Sequence, residues 1–315
     1  SGSDSFIGGL TGNLGDGGMV NNAYSTATVS GGTTAAEVGG LVGANGAANQ
    51  ISGTISNVYF AGTVSGIGAV GAITGYNGPL GGTITDAYWN SDLTTTGVGS
   101  NSGTVTGGGG LTSAQMMQQA SFAGFDFSSP VWVIYNGHTA PLLNVFLTPL
   151  TVTASSQSQT YTGGTFALLN PTYSVAGADT SGHLFGNLTD AYNGAVNVGS
   201  YSPGLWSDQQ GYRITLVGGT LTITPKALSL SGLSASNKVY DGSTVASISG
   251  WGSLVGVVGG DAVSLVYSGS TASFTDANAG TGKTVTVGGL TLGGSAMGNY
   301  TFVGTQTTFA DITPR

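Results

Sequence analysis

Trp132, Trp206, Tyr212, Arg213 and Trp251 are the side chains best suited to chemistry in this chain, and the chemistry they suit is sugar binding. Neutral glycans are held by aromatic faces with amide and hydroxyl groups, and need no charge. Trp206, Tyr212 and Arg213 flank an irregular Asp208-Gln-Gln-Gly211 turn, and Trp132 follows Phe122, Phe125 and Phe127 and precedes Tyr135. The competing reading places the tryptophans in a core. Catalytic constellations are harder to assemble. A glycoside hydrolase needs two carboxylates at a set separation, and residues 1–147 offer only Asp4, Asp16, Glu37, Asp86, Asp92 and Asp126. Asp86 and Asp92 are close in sequence, but turn and capping duties suit them better. A polysaccharide lyase needs a cation and a base, and no Lys or Arg precedes Arg213. His138 and His183 fall in no triad pattern, and cysteine is absent. Asp241-Gly242 and Asp276-Ala-Asn278 are only fragments of a calcium loop, better read as turns. Gly8-Gly-Leu-Thr-Gly12 lacks the Gly-Lys-Ser/Thr of a phosphate cradle. The Asn187-Leu-Thr189 and Asn299-Tyr-Thr301 sequons are expected by chance in so Asn- and Thr-rich a chain. We therefore expect no catalytic residue, no cofactor and no metal.

The elements that must position these side chains are written in repeats. Ile7-Gly-Gly-Leu-Thr-Gly12 returns as Val38-Gly-Gly-Leu-Val-Gly43 and as Val70-Gly-Ala-Ile-Thr-Gly75, with starts 31 and 32 residues apart. Each copy has a second half: Asn22-Ala-Tyr24, Asn57-Val-Tyr59 and Asp86-Ala-Tyr88. A fixed period of this size marks stacked units, none of which buries its apolar face alone. The spacing predicts a right-handed parallel β-helix over residues 1–110, with Tyr24, Tyr59 and Tyr88 in a ladder and Asn22, Asn57 and Asp86 at corners. Ile51, Ile55 and, after a one-residue phase shift, Val58 and Phe60 should point inward. Ala72-Ile73 replaces Gly-Leu in the third copy, which makes a less regular third rung the expectation. Gly107–Gly110 reads as a flexible spacer. Residues 112–120 are the only good helix text, with Thr112 or Ser113 as cap. That helix and the aromatic run, residues 111–147, suit a cap over the open end of the solenoid.

From Thr148-Pro149 the texture changes. Leu150-Thr-Val-Thr-Ala154 alternates with period two, Tyr161-Thr-Gly-Gly164 is a turn, and Ile223-Thr-Pro225 closes a module over 148–226. The plan repeats over 227–315, with Val239-Tyr-Asp-Gly242 as the turn and Ile312-Thr-Pro314 as the end. Proline cannot extend a ladder and marks each seam. The predicted fold class is all-β: a solenoid end with a small helix-containing cap, then two tandem β-rich modules. Composition agrees. Only 6% of the 315 residues are charged and 58 are glycine, against a typical charged fraction of ~25%. The net charge of −8 leaves no basic footprint for nucleic acid and disfavours anionic membranes. No run approaches the ~18 apolar residues of a membrane helix, so no membrane insertion is expected.

The Gly-Gly-Leu-Val-Gly…Asn-x-Tyr units resemble the GLUG repeats of large bacterial surface proteins. Ala87-Tyr-Trp-Asn90, Leu111-Thr-Ser-Ala-Gln-Met116, Phe125-Asp-Phe127 and Trp132–Leu143 are similar to the segment that commonly follows those repeats. Residues 150–226 resemble an MBG-type, mucin-binding-like module, and residues 227–315 its YDG-type relative, with Val239-Tyr-Asp-Gly242 and Gly298-Asn-Tyr-Thr301. The order of parts resembles two-partner-secretion exoproteins of the filamentous haemagglutinin and high-molecular-weight adhesin type. That resemblance implies a Gram-negative protein at the cell surface or outside the cell, exported through an outer-membrane transporter of the two-partner type. It implies adhesion, aggregation or biofilm formation as an elongated scaffold, with host or self glycans and surface proteins as partners, and it supplies no catalytic residues. A dedicated carbohydrate-binding module is the alternative reading. A polysaccharide-active β-helix enzyme ranks below both.

Overall fold

The computed structural model describes residues 5–33, 37–47, 49–129, 131–178, 182–185 and 192–315; Asp4 and the Asn187 sequon lie outside them. The fold is all-β. Two compact units form: Ser1–Leu150 with Val175–Phe185 and Trp206–Thr215, and Thr151–Ser174 with Gly186–Leu205 and Leu216–Arg315. Residues of the 148–226 stretch therefore contribute to both.

The first unit is built on a parallel solenoid. Phe6–Gly8, Glu37–Gly39 and Ala69–Gly71 form one sheet. Thr11–Leu14, Val42–Asn45, Thr74–Asn77 and Val98–Asn101 form a second. Met19–Ser25, Thr54–Phe60, Thr83–Asn90 and Thr104–Leu111 form a third. The repeated residues align across rungs: Ile7 beside Val38 beside Val70, and Tyr24 beside Tyr59 beside Tyr88. The third copy is a regular rung, with Ala72 and Ile73 buried in the core beside Leu41, Ile55 and Ile84. The corner between the first two sheets is so tight that only glycine fits. A Cβ on Gly43 would stand 2.6 Å from the Ile7 amide nitrogen, and one on Gly75 would stand 2.5 Å from that of Val38.

Asn22, Asn57 and Asp86 do not sit at corners. They lie inside strands at φ of 51°, 51° and 50°. This left-handed step, which Asn and Asp tolerate best, is the phase shift legible in the sequence. It lets Ile55 point inward before it and Val58 and Phe60 after it, all fully buried. Ile51 departs from the expectation: it precedes the strand and is exposed. A second ladder runs inside the solenoid. Asn45 Nδ2 donates to Asn77 Oδ1 at 2.9 Å, and Asn77 Nδ2 to Asn101 Oδ1 at 2.8 Å. Asn45 also exchanges hydrogen bonds with the Gly53 backbone, so the buried members of this column, Asn45 and Asn77, are hydrogen-bonded.

Three expectations about residues 98–147 need correction. Gly107–Gly110 is not a spacer but the middle of a fourth-rung strand, paired from Thr83–Thr104 to Asn90–Leu111. Gly107 and Gly108 adopt φ of 68° and 82°, and a Cβ on Gly108 would stand 2.5 Å from the Ala87 amide. The helix text forms two short 3₁₀ turns, Gln115–Met117 and Gln119–Ser121, broken by an extended Gln118. Thr112 does cap the first, in a reciprocal capping box with Gln115. Helix propensity yields here to tertiary contacts, because Met116 is buried against the aromatic cluster and Gly137 donates to the Met117 carbonyl. The aromatic segment covers the flank of the third sheet, not the solenoid end. It packs on the outward tyrosines, whose hydroxyls hold it: Tyr59 donates to the Pro141 carbonyl at 2.8 Å and Tyr88 to that of Ala123 at 3.0 Å. The strand Thr104–Leu111 on the end rung stays mostly exposed.

In the second unit, Val152 and Ala154 alternate inward as the period-two text predicts. Gln157–Thr160 pairs in parallel with Leu221–Thr224, which also pairs antiparallel with Gly199–Tyr201. Lys226–Ala235 pairs antiparallel with Ile248–Val255 and in parallel with Tyr300–Phe302. Lys238–Val239, Gln306–Thr313, Gly280–Gly288 and Thr271–Phe274 form the facing sheet. Between the layers lies a small core of Phe274, Val285, Val287, Leu290, Ala310 and Ile312.

Candidate functional site

The candidate residues separate into buried and accessible ones. Trp132 is fully buried. Its ring stacks on Phe125 at 4.8 Å and lies 6.0 Å from Tyr59, and its indole N–H donates to Asn22 Oδ1 at 3.2 Å. Neither face is open to a sugar, so Trp132 is a core residue. Tyr212 is also buried; its carbonyl accepts from the Tyr135 hydroxyl at 2.6 Å. Trp206 is sandwiched between Phe185 at 4.3 Å and His138 at 5.2 Å, both nearly parallel to it. Arg213 is half-buried and lines a cleft of about 490 Å³ with Gln119, Phe127, Ile134 and Thr215.

Among the candidate residues, Trp251 is the one with an accessible aromatic surface beside it. The strand Ile248–Val255 places it between Gly250 and Gly252 and opposite Leu233, and Gly252 takes φ of 72°. Tyr267, just after Ser264–Val266, stacks on the indole at 4.5 Å with 6° between the planes. Tyr267 is 47% exposed. The pair borders a cleft of about 410 Å³ that also presents Ser253, Ser264 and Leu265. An aromatic ledge beside hydroxyls is the arrangement that a sugar ring needs. Tyr267 carries no local signal in the sequence, because only pairing between distant strands brings it to Trp251.

The ionisable groups are tied into turns. Asp92 accepts from the Ser113 amide at 2.7 Å, and that backbone bond, then the Ser113 hydroxyl, lowers its carboxyl below the usual range. Asp126 is held well below it by the hydroxyls and amides of Ser128 and Ser129. His183 pairs with Asp208 at 3.0 Å, and the nearby Ser207 hydroxyl donates to the His183 carbonyl. Asp276 takes Lys283 at 2.6 Å and the Asn278 amide at 2.8 Å. Asp241 takes Lys238 at 2.8 Å and the Ser243 amide at 2.9 Å, which draw its pKa down to about 2. Lys238 Nζ also donates to the Ser243 and Val245 carbonyls. The Tyr-Asp-Gly turn is thus closed by its own side chains.

One polar cluster escapes the sequence. Asp261 Oδ2 accepts from Tyr161 at 2.8 Å and from Tyr300 at 2.5 Å, and Tyr300 Oη accepts from the Val258 amide at 2.9 Å. The rings meet edge-on at 5.4 Å. Burial, then Asp261, pushes both phenols above the ordinary tyrosine range. Tyr161 and Tyr300 are prominent in the sequence; Asp261, in a Gly-rich loop, is not.

Residues 224–308 match the YDG domain family. No curated protein and no solved structure matches the chain.

Proposed function

We propose that this chain is a non-catalytic part of an exported bacterial surface or secreted protein of the adhesin class, presenting and spacing adhesive surface outside the cell. The observation that carries the reading is the in-register tyrosine ladder of a four-rung solenoid joined in sequence to a YDG domain. Stacked rungs share one hydrogen-bonded ladder, which suits a scaffold that must persist outside the cell without disulfides. The GLUG-like repeats extend the reading to two-partner secretion, with an outer-membrane transporter during export and with glycans or surface proteins, of host or self, as partners. The test is retention. Beads carrying the full chain should hold to mucin-coated or epithelial surfaces, or clump with one another, above beads carrying albumin. Equal behaviour of the two bead types would sink the proposal.

The Trp251–Tyr267 ledge favours a second reading, direct binding of a neutral glycan. A glycan array with the full chain should then show hits that Trp251→Ala removes while Trp206→Ala leaves them in place.

A further inference from the structure

Two turns of the second unit are built alike and end differently. Tyr161 follows a strand that runs parallel to Leu221–Thr224, and its amide donates to the Thr224 carbonyl at 2.9 Å. Tyr240 follows a strand parallel to Gln306–Thr313, and its amide donates to the Thr313 carbonyl at 2.9 Å. Two residues later stand Gly163 at φ 79° and Gly242 at φ 74°. One residue further, the Gly164 amide bonds the Thr162 hydroxyl and the Ser243 amide bonds the Asp241 carboxylate. Each module leaves beside its turn through Ile-Thr-Pro and a basic residue, Lys226 or Arg315. Tyr161 and Tyr240 are therefore equivalent positions.

Their surroundings are not equivalent. Tyr161 is 3% exposed, held by Asp261 and Tyr300 of the module that follows it. Beside it, a Cβ on Gly163 would stand 2.7 Å from Val258 of that module. Tyr240 is 43% exposed and is flanked by exposed Val239 and Val245. A Cβ on Gly242 would meet nothing within 4 Å. The Tyr135-Asn-Gly137 turn, with Gly137 at φ 80°, has its tyrosine engaged too: the hydroxyl bonds the Tyr212 carbonyl and the Ile214 amide.

We propose that the Val239–Tyr240–Val245 face is a docking surface for a further β module of this same class, seated on Tyr240 as residues 226–315 are seated on Tyr161. The occupied junction supplies the template. Chain exit, plug and socket are adjacent there, since Lys226 follows the exit at Pro225 and pairs directly with Tyr300. The chemistry required of the partner is a carboxylate and a tyrosine hydroxyl beside an apolar loop residue, the places of Asp261, Tyr300 and Val258. A second copy of this chain does not qualify, because Tyr161 already fills its socket. The inference stands apart from the adhesive reading, because it concerns how modules join and not what they hold.

The test extends the full chain after Arg315 with a second copy of residues 227–315 and reads tyrosine nitration by mass spectrometry. In the unextended chain Tyr240 should nitrate readily and Tyr161 slowly. In the extended chain Tyr240 should react at least about tenfold more slowly, as expected for a site exposed only by local opening. Asp261→Ala in the added copy should restore its reactivity, and so should Val258→Lys, a loop change that leaves the clamp residues in place. Equal reactivity of Tyr240 with and without the extension would overturn the proposal, as would protection that neither replacement relieves. Protection in the unextended chain that rises with protein concentration would assign the face to a second copy and overturn it equally.

Discussion

The solenoid and the YDG module are both made of short strands, glycine bends and buried valines, but they distribute their cohesion differently. In the solenoid, Val38, Leu41, Val42, Ile55, Val58 and Phe60 are sealed between rungs above and below. Part of its polar need is met by columns such as Asn45–Asn77–Asn101. In the module, the strand Lys226–Ala235 buries only Leu228. A few polar clamps, at Lys238 and at Asp261, fix what the thin core does not. Stacking thus makes a layer depend on its neighbours everywhere, whereas a module depends on a few points. The two regions should fail differently when single residues are changed.

The largest contrast is between two tryptophans. Trp132→Ala empties a sealed site beside Phe125 and Tyr59, and should cost about 3–5 kcal/mol by denaturant titration. Trp251→Ala removes a ring that is already partly open and should cost clearly less. Similar losses at both sites would erase the distinction between sealed layers and thin modules.

The asparagine column comes next. Asn77→Ala leaves the buried Asn45 short of an acceptor, at about 1–3 kcal/mol for a buried group left unpaired, while the exposed Asn101 turns to water. Leu14 stands beside Asn45 in the first rung, so an apolar residue is tolerated at the column's end. Asn101→Leu should accordingly cost less than Asn77→Ala. The reverse order would show that the column is not what holds this side of the solenoid.

Much of the solenoid is legible in the sequence because its Gly-Gly-Leu-type units start 31 and 32 residues apart, and a stack converts near-equal spacing into contact. The fourth rung is not legible, because its strands follow the third at shorter intervals, Thr74 to Val98 and Thr83 to Thr104. It also carries Gly109 where the others carry tyrosine. Its signal was Val98-Gly-Ser-Asn101, matching Val42-Gly-Ala-Asn45 and Thr74-Gly-Tyr-Asn77, a pattern weaker than Gly-Gly-Leu. The placement of the aromatic segment over the flank needed the knowledge that Tyr24, Tyr59 and Tyr88 face outward. A left-handed residue in mid-strand decides that. At the candidate site Trp251 was legible by type, but Tyr267 and Asp261 were not, because pairing of distant strands delivers them.

The junction clamp offers a comparison in alkali. Tyr161 and Tyr300 have folded pKa values above the ordinary tyrosine value of 10.0, raised first by burial. Their contribution is fully present below that value and is lost as pH rises through the raised folded values. Amides near Val258 should therefore begin to exchange faster above about pH 10. Tyr300→Phe keeps the packing but removes the acceptor of the Val258 amide, so it should bring that loosening down to neutral pH. Unchanged exchange at Val258 in Tyr300→Phe would show that the clamp contributes nothing.

The smallest effect is expected at acid pH, in the turn that Asp241 closes. Its carboxyl titrates at about 2, drawn below the ordinary 3.8 first by Lys238 and then by Ser243. A depressed folded pKa gives stability that is complete above the unfolded value and lost as pH falls toward the folded one. The Ser243 amide, which donates to Asp241, should thus lose protection between about pH 4 and 2, after correction for intrinsic exchange. The asparagine column carries no titrating group, so amides of the solenoid interior should hold over the same range. Asp241→Asn retains an oxygen for Ser243 but gives up the charge that attracts Lys238. It should make the turn slightly looser at neutral pH and nearly indifferent to acid. If the variant still loosened on acidification, the acid response would have to come from another carboxylate. Asp276, which holds Lys283 in the same module, would be the next to replace.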